Sequence, residues 1–371
     1  MNARGRRGPR QLRDVGDWPN QTILPGQTRN VTLAVSESYS GMTVRIPIQV
    51  RRAEQPGPTL FVTAAIHGDE VNGTGAIRQL ISMPELTLSR GNLMLVPVMN
   101  LLAFDRHSRY LPDRRDLNRC FPGNPEGSLA SRMAHRLFDE IVGRADFGID
   151  LHTAAVRRTN YPTVRGNMRN ADIARMAHAF GTELVIDSKG ATGTFRREAT
   201  RAGCPTIVVE AGEVWKVEPT IVEVTVKGIL NVLRELDMID GTPNIPAHQV
   251  VIKECKWVRA ARGGFLQFHV KPGEVVKKNQ PLATITTLLG EERSAVQSPF
   301  AGVIVGMTTL PAISPGEPVC NIGKLPRGVQ ATAFRRHRQE KQRLEKRVVQ
   351  DLASNVLVVE PSPTDASENS D

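Results

Sequence analysis

Along the first two thirds of the chain, apolar positions come in two rhythms. "NVTLAV" (30–35) and "MTVRIPIQVRR" (42–52) alternate apolar and polar residues with a period near two, as half-buried strands do. "TLFVTAA" (59–65) and "GNLMLVPVMN" (91–100) are short, nearly continuous apolar runs, the pattern of central strands covered on both faces. Between them, "EVNGTGAIRQLISM" puts Ile77, Leu80 and Ile81 on one side of a helix. The rhythm then repeats. "SLASRMAHRLFDEIVGRA" predicts a helix with Leu129, Met133, Leu137 and Ile141 inward, "FGIDLHT" a strand and "NADIARMAHAFG" a helix. "CPTIVVEAGE" predicts a further buried strand and "EPTIVEVTVKGILNVLRELDMI" a closing helix. Strands alternating with helices predict an α/β layer architecture.

The Pro/Gly-rich stretch "DGTPNIPAH" (240–248) marks a boundary. Beyond it, residues 249–323 change to short β segments with turn glycines, as in "GGFLQFHVKPGEVVKKNQPLATI" and "AVQSPFAGVIVGM". These phrases resemble the small β modules that carry lipoyl or biotinyl groups. Such carriers place a modifiable Lys at the hairpin between the two phrases. Here that segment is "TTLLGEERSA", without a Lys, so the module is expected to be structural. The division expected is a basic flexible arm over 1–28, a main domain over 29–245, a β domain over 246–325 and a charged, disordered tail over 326–371. Within that tail a helix is compatible with Leu344, Val348 and Leu352.

Charge changes this picture little. The formal net charge is +10, but residues 1–14 hold five Arg and one Asp, and residues 331–347 hold seven basic and two acidic side chains. About half of the basicity therefore sits on the ends, which suits solvated tails better than a nucleic-acid surface. Aromatic residues make up 5% of the chain, too few for a base-stacking platform. Cys120, Cys204, Cys255 and Cys320 are far apart and form no CxxC pair, which fits reduced thiols and a cytoplasmic location. The basic amino terminus is not followed by an apolar segment, and no stretch approaches the roughly 18 apolar residues of a membrane span.

Three predicted strand ends carry the chemistry: "HGDE" (67–70), "DLHT" (150–153) and "VVEAGE" (208–213). Strand carboxyl ends in an α/β sheet open into a common crevice, where ligands bind. His67, Glu70 and His152 would then supply two imidazoles and a carboxylate, a set suited to catalytic zinc with one position left open. Asp150 points the same way along its strand as His152 and could orient that imidazole. A lone His or a single HxxE is more often an ordinary polar feature, so the weight lies on the three segments together.

The set "HGDE", "RDLNRCFPG", "DLHT" and "TIVVEAGE" resembles the succinylglutamate desuccinylase/aspartoacylase family, a branch of the zinc-carboxypeptidase-like hydrolases. The resemblance covers about residues 30–325. It implies a zinc-carboxypeptidase-like mixed sheet flanked by helices, followed by a small all-β, barrel-sandwich-like domain. It implies one Zn2+ on His67, Glu70 and His152, with Glu210 as the general base that activates water; Glu213, three residues on, competes for that role. In the family, the Asn and Arg of "DLNR" hold the substrate carboxylate, which maps to Asn118 and Arg119; a guanidinium fork reads a carboxylate bidentately. An upstream Arg polarises the scissile carbonyl, for which Arg109 is the candidate. An Arg for an acyl-chain carboxylate cannot be chosen among Arg196, Arg197 and Arg201.

The expected function is zinc-dependent hydrolysis of the amide bond of an N-acyl amino acid or related small molecule. Homo-oligomerisation is left open. Two rivals stand beside it: a metallocarboxypeptidase trimming peptide C-termini, and a non-catalytic protein docking through its basic ends. Deleting 1–28 and 326–371 should abolish the function of the last and spare that of an enzyme.

Overall fold

The computed structural model describes residues 12–19, 21–246, 248–326, 328 and 344–359. A short hairpin, β1 (Asp17–Trp18) with β2 (Gln21–Thr22), precedes the long antiparallel pair β3 (Thr28–Glu37) and β4 (Thr43–Arg52). The alternating segment follows: β5 (Thr59–Ala64), α1 (Asn72–Ile81), β6 (Asn92–Val96), α2 (Leu101–Phe104), α3 (Leu129–Ile141) and β7 (Phe147–His152). Then come β8 (Arg158–Gly166), α4 (Ala171–Phe180), β9 (Leu184–Asp187), α5 (Phe195–Arg201), β10 (Thr206–Gly212) and α6 (Pro219–Glu235).

β10, β7, β5 and β6 lie side by side and parallel, so their carboxyl ends share one edge. β4 and β3 extend this group on one flank and β8 on the other, all antiparallel to their inner neighbours. Alternation along the strands divides the interior. Leu60, Val62 and Ala64 of β5, Ile149 and Leu151 of β7, and Ile207 and Val209 of β10 face a core shared with α1, α4 and α6. Phe61, Met94 and Val96 face a second core with α3 and α5. On that second face, the apolar character ends before the strands do. Thr63, Asp150, His152 and Glu210 occupy the inward positions nearest the carboxyl ends, and the site is built there.

The carboxy-terminal segment contains β11 (Val250–Ile252), β12 (Cys255–Arg259), β13 (Gly264–Phe268), β14 (Val275–Val276) and β15 (Pro281–Thr286). It continues with β16 (Glu292–Gln297), β17 (Gly302–Thr308), β18 (Ala312–Ile313), β19 (Pro318–Lys324) and α7 (Leu344–Ala353). Four of these strands form a separate sheet in the order β16-β15-β13-β18. The others join the main sheet: β17 pairs with β8, β19 with β17, β12 with β19, and β11 with β9, giving 13 strands in all. Leu266, Phe268, Ile285, Ile304, Val319 and Ile322 bring both sheets into a third core. The boundary expected near residue 246 is therefore a change of composition but not a break in the hydrogen-bonded sheet.

Three expectations need correction. The arm does not run to residue 28: Val15, Trp18 and Ile23 are buried in the second core, and Arg13 bonds Asp139 and Glu140 of α3. The tail is ordered over 344–359, where Leu344, Val348 and Leu352 of α7 are buried against α6. The remaining terminal residues, 1–11 and 360–371, and the basic run 329–343 lie outside the described residues. Finally, β8, β9 and α5 have no counterpart in the expected elements. β8 escapes a periodicity reading because Pro162 interrupts it. The proline sits where β8 passes from pairing with β17 (158–160) to pairing with β9 (163–166), a place that needs no ladder N–H.

Candidate metal centre and substrate cavity

The loop after β5 carries His67 and Glu70 on top of the sheet. Gly68 allows this loop to press against α2, since a Cβ there would lie 2.1 Å from the Ala103 carbonyl carbon. β7 delivers His152 from below. Glu70 receives both imidazoles: His67 Nδ1 is 2.7 Å from Oε1 and His152 Nδ1 is 2.9 Å from Oε2. The backbone N–H of Thr153 donates to Oε2 at 3.0 Å. One ligand atom from each of the three residues lies within 4.8 Å of the other two, and all three residues are buried.

The outer ring nitrogens are also occupied. His152 Nε2 is 2.8 Å from Asp150 Oδ2, and Asp150 Oδ1 accepts from the Thr63 hydroxyl at 2.9 Å. His67 Nε2 is 3.1 Å from Asp116 Oδ1. A neutral imidazole has one N–H and one lone pair. With each Nε2–H given to an aspartate, each Nδ1 turns a lone pair toward a carboxylate oxygen. In these neutral forms acceptor faces acceptor at both contacts, which an added proton or a bound divalent cation would relieve; at His67, Arg109 Nη1 also lies 3.2 Å from Nδ1. Carboxylate-held imidazoles are also the usual outer shell of a zinc site. The residues present therefore fit the ion that the sequence implied.

Electrostatics agree with a cation-seeking cluster. Burial opposes ionisation of Glu70, but His67 and His152 outweigh it and hold its carboxyl well below the usual range. Burial likewise disfavours charge on His152, yet Asp150 and Glu70 raise its pKa well above the ordinary value. Asp116 resists burial through His67 and Arg109 and is lowered. Arg109 reaches the cluster from the loop after α2, with Nη2 3.1 Å from Asp116 and Nη1 3.2 Å from Glu70.

Beside the cluster opens a cavity of about 380 Å³, lined by His67, Glu70, His152 and Glu210 together with a set of arginines. Glu210 reaches it because it pairs with His152 across the parallel ladder and shares its face. Its Oε2 accepts from Asn160 Nδ2 at 3.1 Å. Glu213 does not line the cavity and is engaged elsewhere, accepting from Lys216 and from the Thr309 hydroxyl at 2.7 Å each. Asn118 and Arg119 both line the cavity. The Asn118 amide oxygen accepts from Phe195 N–H at 2.8 Å, which turns the NH2 into the group it can present. Of the three arginines left open, only Arg196 is at the cavity. Arg197 bonds the Gly190 carbonyl and Arg201 pairs with Glu198.

The sequence reading missed Asp116, Asn160, Arg165, Trp257 and Asn321. Asp116 stands inside "RDLNR", where the local motif gives no sign that it reaches His67. The others sit on β8, β12 and β19, whose approach to the cleft depends on the sheet continuing into the carboxy-terminal segment.

Fold and site together define an α/β protein with a buried His–Glu–His cluster fit for a cation at the strand ends of its sheet. Residues 56–236 match the succinylglutamate desuccinylase/aspartoacylase catalytic domain, the family that the sequence motifs resemble. Among relatives, an N-alpha-acetyl-L-2,4-diaminobutyric acid deacetylase from Halomonas elongata is 28% identical over 255 residues, covering 65% of this chain and 74% of its own. A solved succinylglutamate desuccinylase/aspartoacylase from Rhodobacter sphaeroides is 28% identical with a TM-score of 0.70, covering 81% of this chain and 96% of that one. The product-bound ectoine utilization protein EutE (DoeB) from Ruegeria pomeroyi shares the fold at 23% identity and a TM-score of 0.71, over 81% and 97% of the two chains.

Proposed function

We propose that the protein is a zinc-dependent amidohydrolase that removes the acyl group from an N-acyl amino acid. The observation that carries this reading is the convergence of two carboxylate-held imidazoles on Glu70, beside a cavity that also presents Glu210 and arginines. The named activity of the Halomonas relative, deacetylation of an N-acetylated amino acid, supports it. Bound at His67, Glu70 and His152, zinc would supply Lewis acidity toward water and the scissile carbonyl.

The chain's own residues do the rest. Glu210 takes a proton from the attacking water and passes it to the leaving nitrogen as the C–N bond breaks. The products are the free acyl carboxylate and the amine. Arg109, held by Asp116, is assigned to the carbonyl oxygen, where developing negative charge is stabilised. Asn118 and Arg119 hold the substrate carboxylate.

Five arginines line the cavity (Arg109, Arg119, Arg158, Arg165 and Arg196), with Glu70 and Glu210 as its carboxylates. This balance favours an anionic substrate. The cavity's size suits a small molecule, and Trp257 and Asn321 of the carboxy-terminal segment line it. That setting favours a small acyl amino acid over a peptide chain. Free thiols at all four cysteines suit the cytoplasm, which we assign as the compartment.

The test is metal analysis of the purified protein, followed by assay of N-acetyl, N-succinyl and N-formyl amino acids beside short peptides. Glu210→Gln should keep zinc at one per chain and lose turnover by at least about 100-fold. Cleavage confined to peptides would replace this reading with a carboxypeptidase. Full activity in the Gln variant would remove Glu210 from the role.

A further inference from the structure

We propose that Asn160 is a positioning residue for Glu210, and that the carboxy-terminal β segment keeps it in place through strand β17. This rests on the reading of Glu210 as the proton-transfer group.

A general base at the end of a strand has two rotatable oxygens, and its usefulness depends on presenting one of them to the water. Asn160 fixes the other. Its Nδ2 donates to Glu210 Oε2 at 3.1 Å, while Oε1 faces Arg165 at 3.8 Å. The donor is neutral. An amide orients a carboxylate without the strong preference for its ionised form that a guanidinium contact brings. The amide thereby holds the rotamer of Glu210 and leaves Oε1 toward the cavity.

The placement of Asn160 is not a property of β8 alone. β8 pairs with β10 through Thr163 and Glu210, then bulges so that Asn160 stands opposite Gly212. A bulge re-aims a side chain, and here it turns Asn160 toward Glu210. On its other side Asn160 pairs with Gly306 of β17. A Cβ at Gly306 would lie 2.4 Å from Asn160 Oδ1 and 2.9 Å from the Thr159 carbonyl oxygen. Only glycine at 306 leaves the amide where it is. The same seam continues as Thr309 N–H donates to the Arg157 carbonyl at 2.9 Å and the Thr309 hydroxyl donates to Glu213. The β segment thus reaches the reacting carboxylate through one amide.

The experiment is a double-mutant cycle on the zinc-loaded full chain, with the best substrate from the acyl amino acid screen. Asn160→Ala and the shape-preserving Asn160→Asp should each lower kcat about 10-fold or more, with KM and zinc per chain unchanged. In a Glu210→Gln background, Asn160→Ala should cost little more, because its effect passes through the carboxylate already removed. Gly306→Ala should mimic Asn160→Ala. Wild-type kcat in both Asn160 variants, or the same fractional loss in the Gln background, would overturn the proposal. Glu210→Gln with wild-type turnover would instead overturn the role of Glu210 itself, so the two failures are distinguishable.

Discussion

Two imidazoles sharing one carboxylate is the feature on which the site's chemistry turns. Asp116 and Asp150 keep His67 and His152 in the tautomer that leaves Nδ1 toward Glu70. Removing such an outer carboxylate typically weakens zinc about 10- to 100-fold. Asp116→Ala should show that loss in a competition titration with a chelator, while Asp113→Ala, a few residues away on a loop, should not.

The same cluster sets a pH signature for the metal-free protein. Glu70 and Asp116 have folded pKa values below their ordinary 4.5 and 3.8, so their stabilisation is present above those values and lost as pH falls. His67 and His152 are raised above their ordinary 6.5, so their stabilisation is full below 6.5 and lost as pH rises through the folded values. The cluster therefore stabilises metal-free protein most between about 4.5 and 6.5. Zinc displaces those protons, so its stabilisation should grow with pH. Thermal melts from pH 5.5 to 8.5 with and without zinc should diverge steadily; a constant gap would contradict protonation of the two imidazoles in the metal-free protein. At this scale the residue types were readable in sequence, and Glu210 was the glutamate expected as the base, with Glu213 its competitor. Three residues separate them, and only their neighbours differ: Asn160 and the cavity for one, Lys216 and Thr309 for the other.

Individual elements show why the side chains of the cluster land together. β7 and β10 run parallel in register, so Asp150, His152, Val208 and Glu210 share a face while Ile149, Leu151, Ile207 and Val209 fill the opposite core. A one-residue slip would turn His152 and Glu210 into the apolar layer. The loop between β5 and α1 has its own constraint. Gly68 lies so close to α2 that any side chain must push the loop away. Gly68→Ala should lower zinc occupancy and turnover together, measured as metal per chain and kcat, with the global fold retained by circular dichroism. Arg196 belongs to α5, where burial and then Arg165 lower its pKa to about 10 and its Nη1 donates to the Ser188 carbonyl. Its helix was not evident in sequence because seven residues give too few apolar repeats for a period to show.

For the whole molecule, the surprise is continuity. The carboxy-terminal segment reads as a separate module, yet β17 and β11 extend the main sheet and α7 returns to cover α6. Leu352 is fully buried there, so Leu352→Ala should cost about 2–5 kcal/mol in urea unfolding, a loss foreign to a solvated tail. The separation between enzyme and docking protein therefore needs a shorter deletion, of 1–11, and neutralisation of the basic residues within 329–343, which leave the packed Trp18 and α7 intact. No helix among the described residues is long and apolar enough to cross a membrane.

Local apolar rhythm determined the order of most strands and helices, because burial on one or two faces writes its period directly into the chain. Motif spacing determined which residue types could bind a cation, since each pair or triplet sits on one short loop or strand end. What the tertiary structure alone decided was partnership: what holds the glutamate at the cavity, which arginine of three reaches it, and which strand supports Asn160. Those depend on contacts between segments 50 to 150 positions apart, such as Asn160 with Glu210 and Gly306, and no local pattern encodes a neighbour that distant.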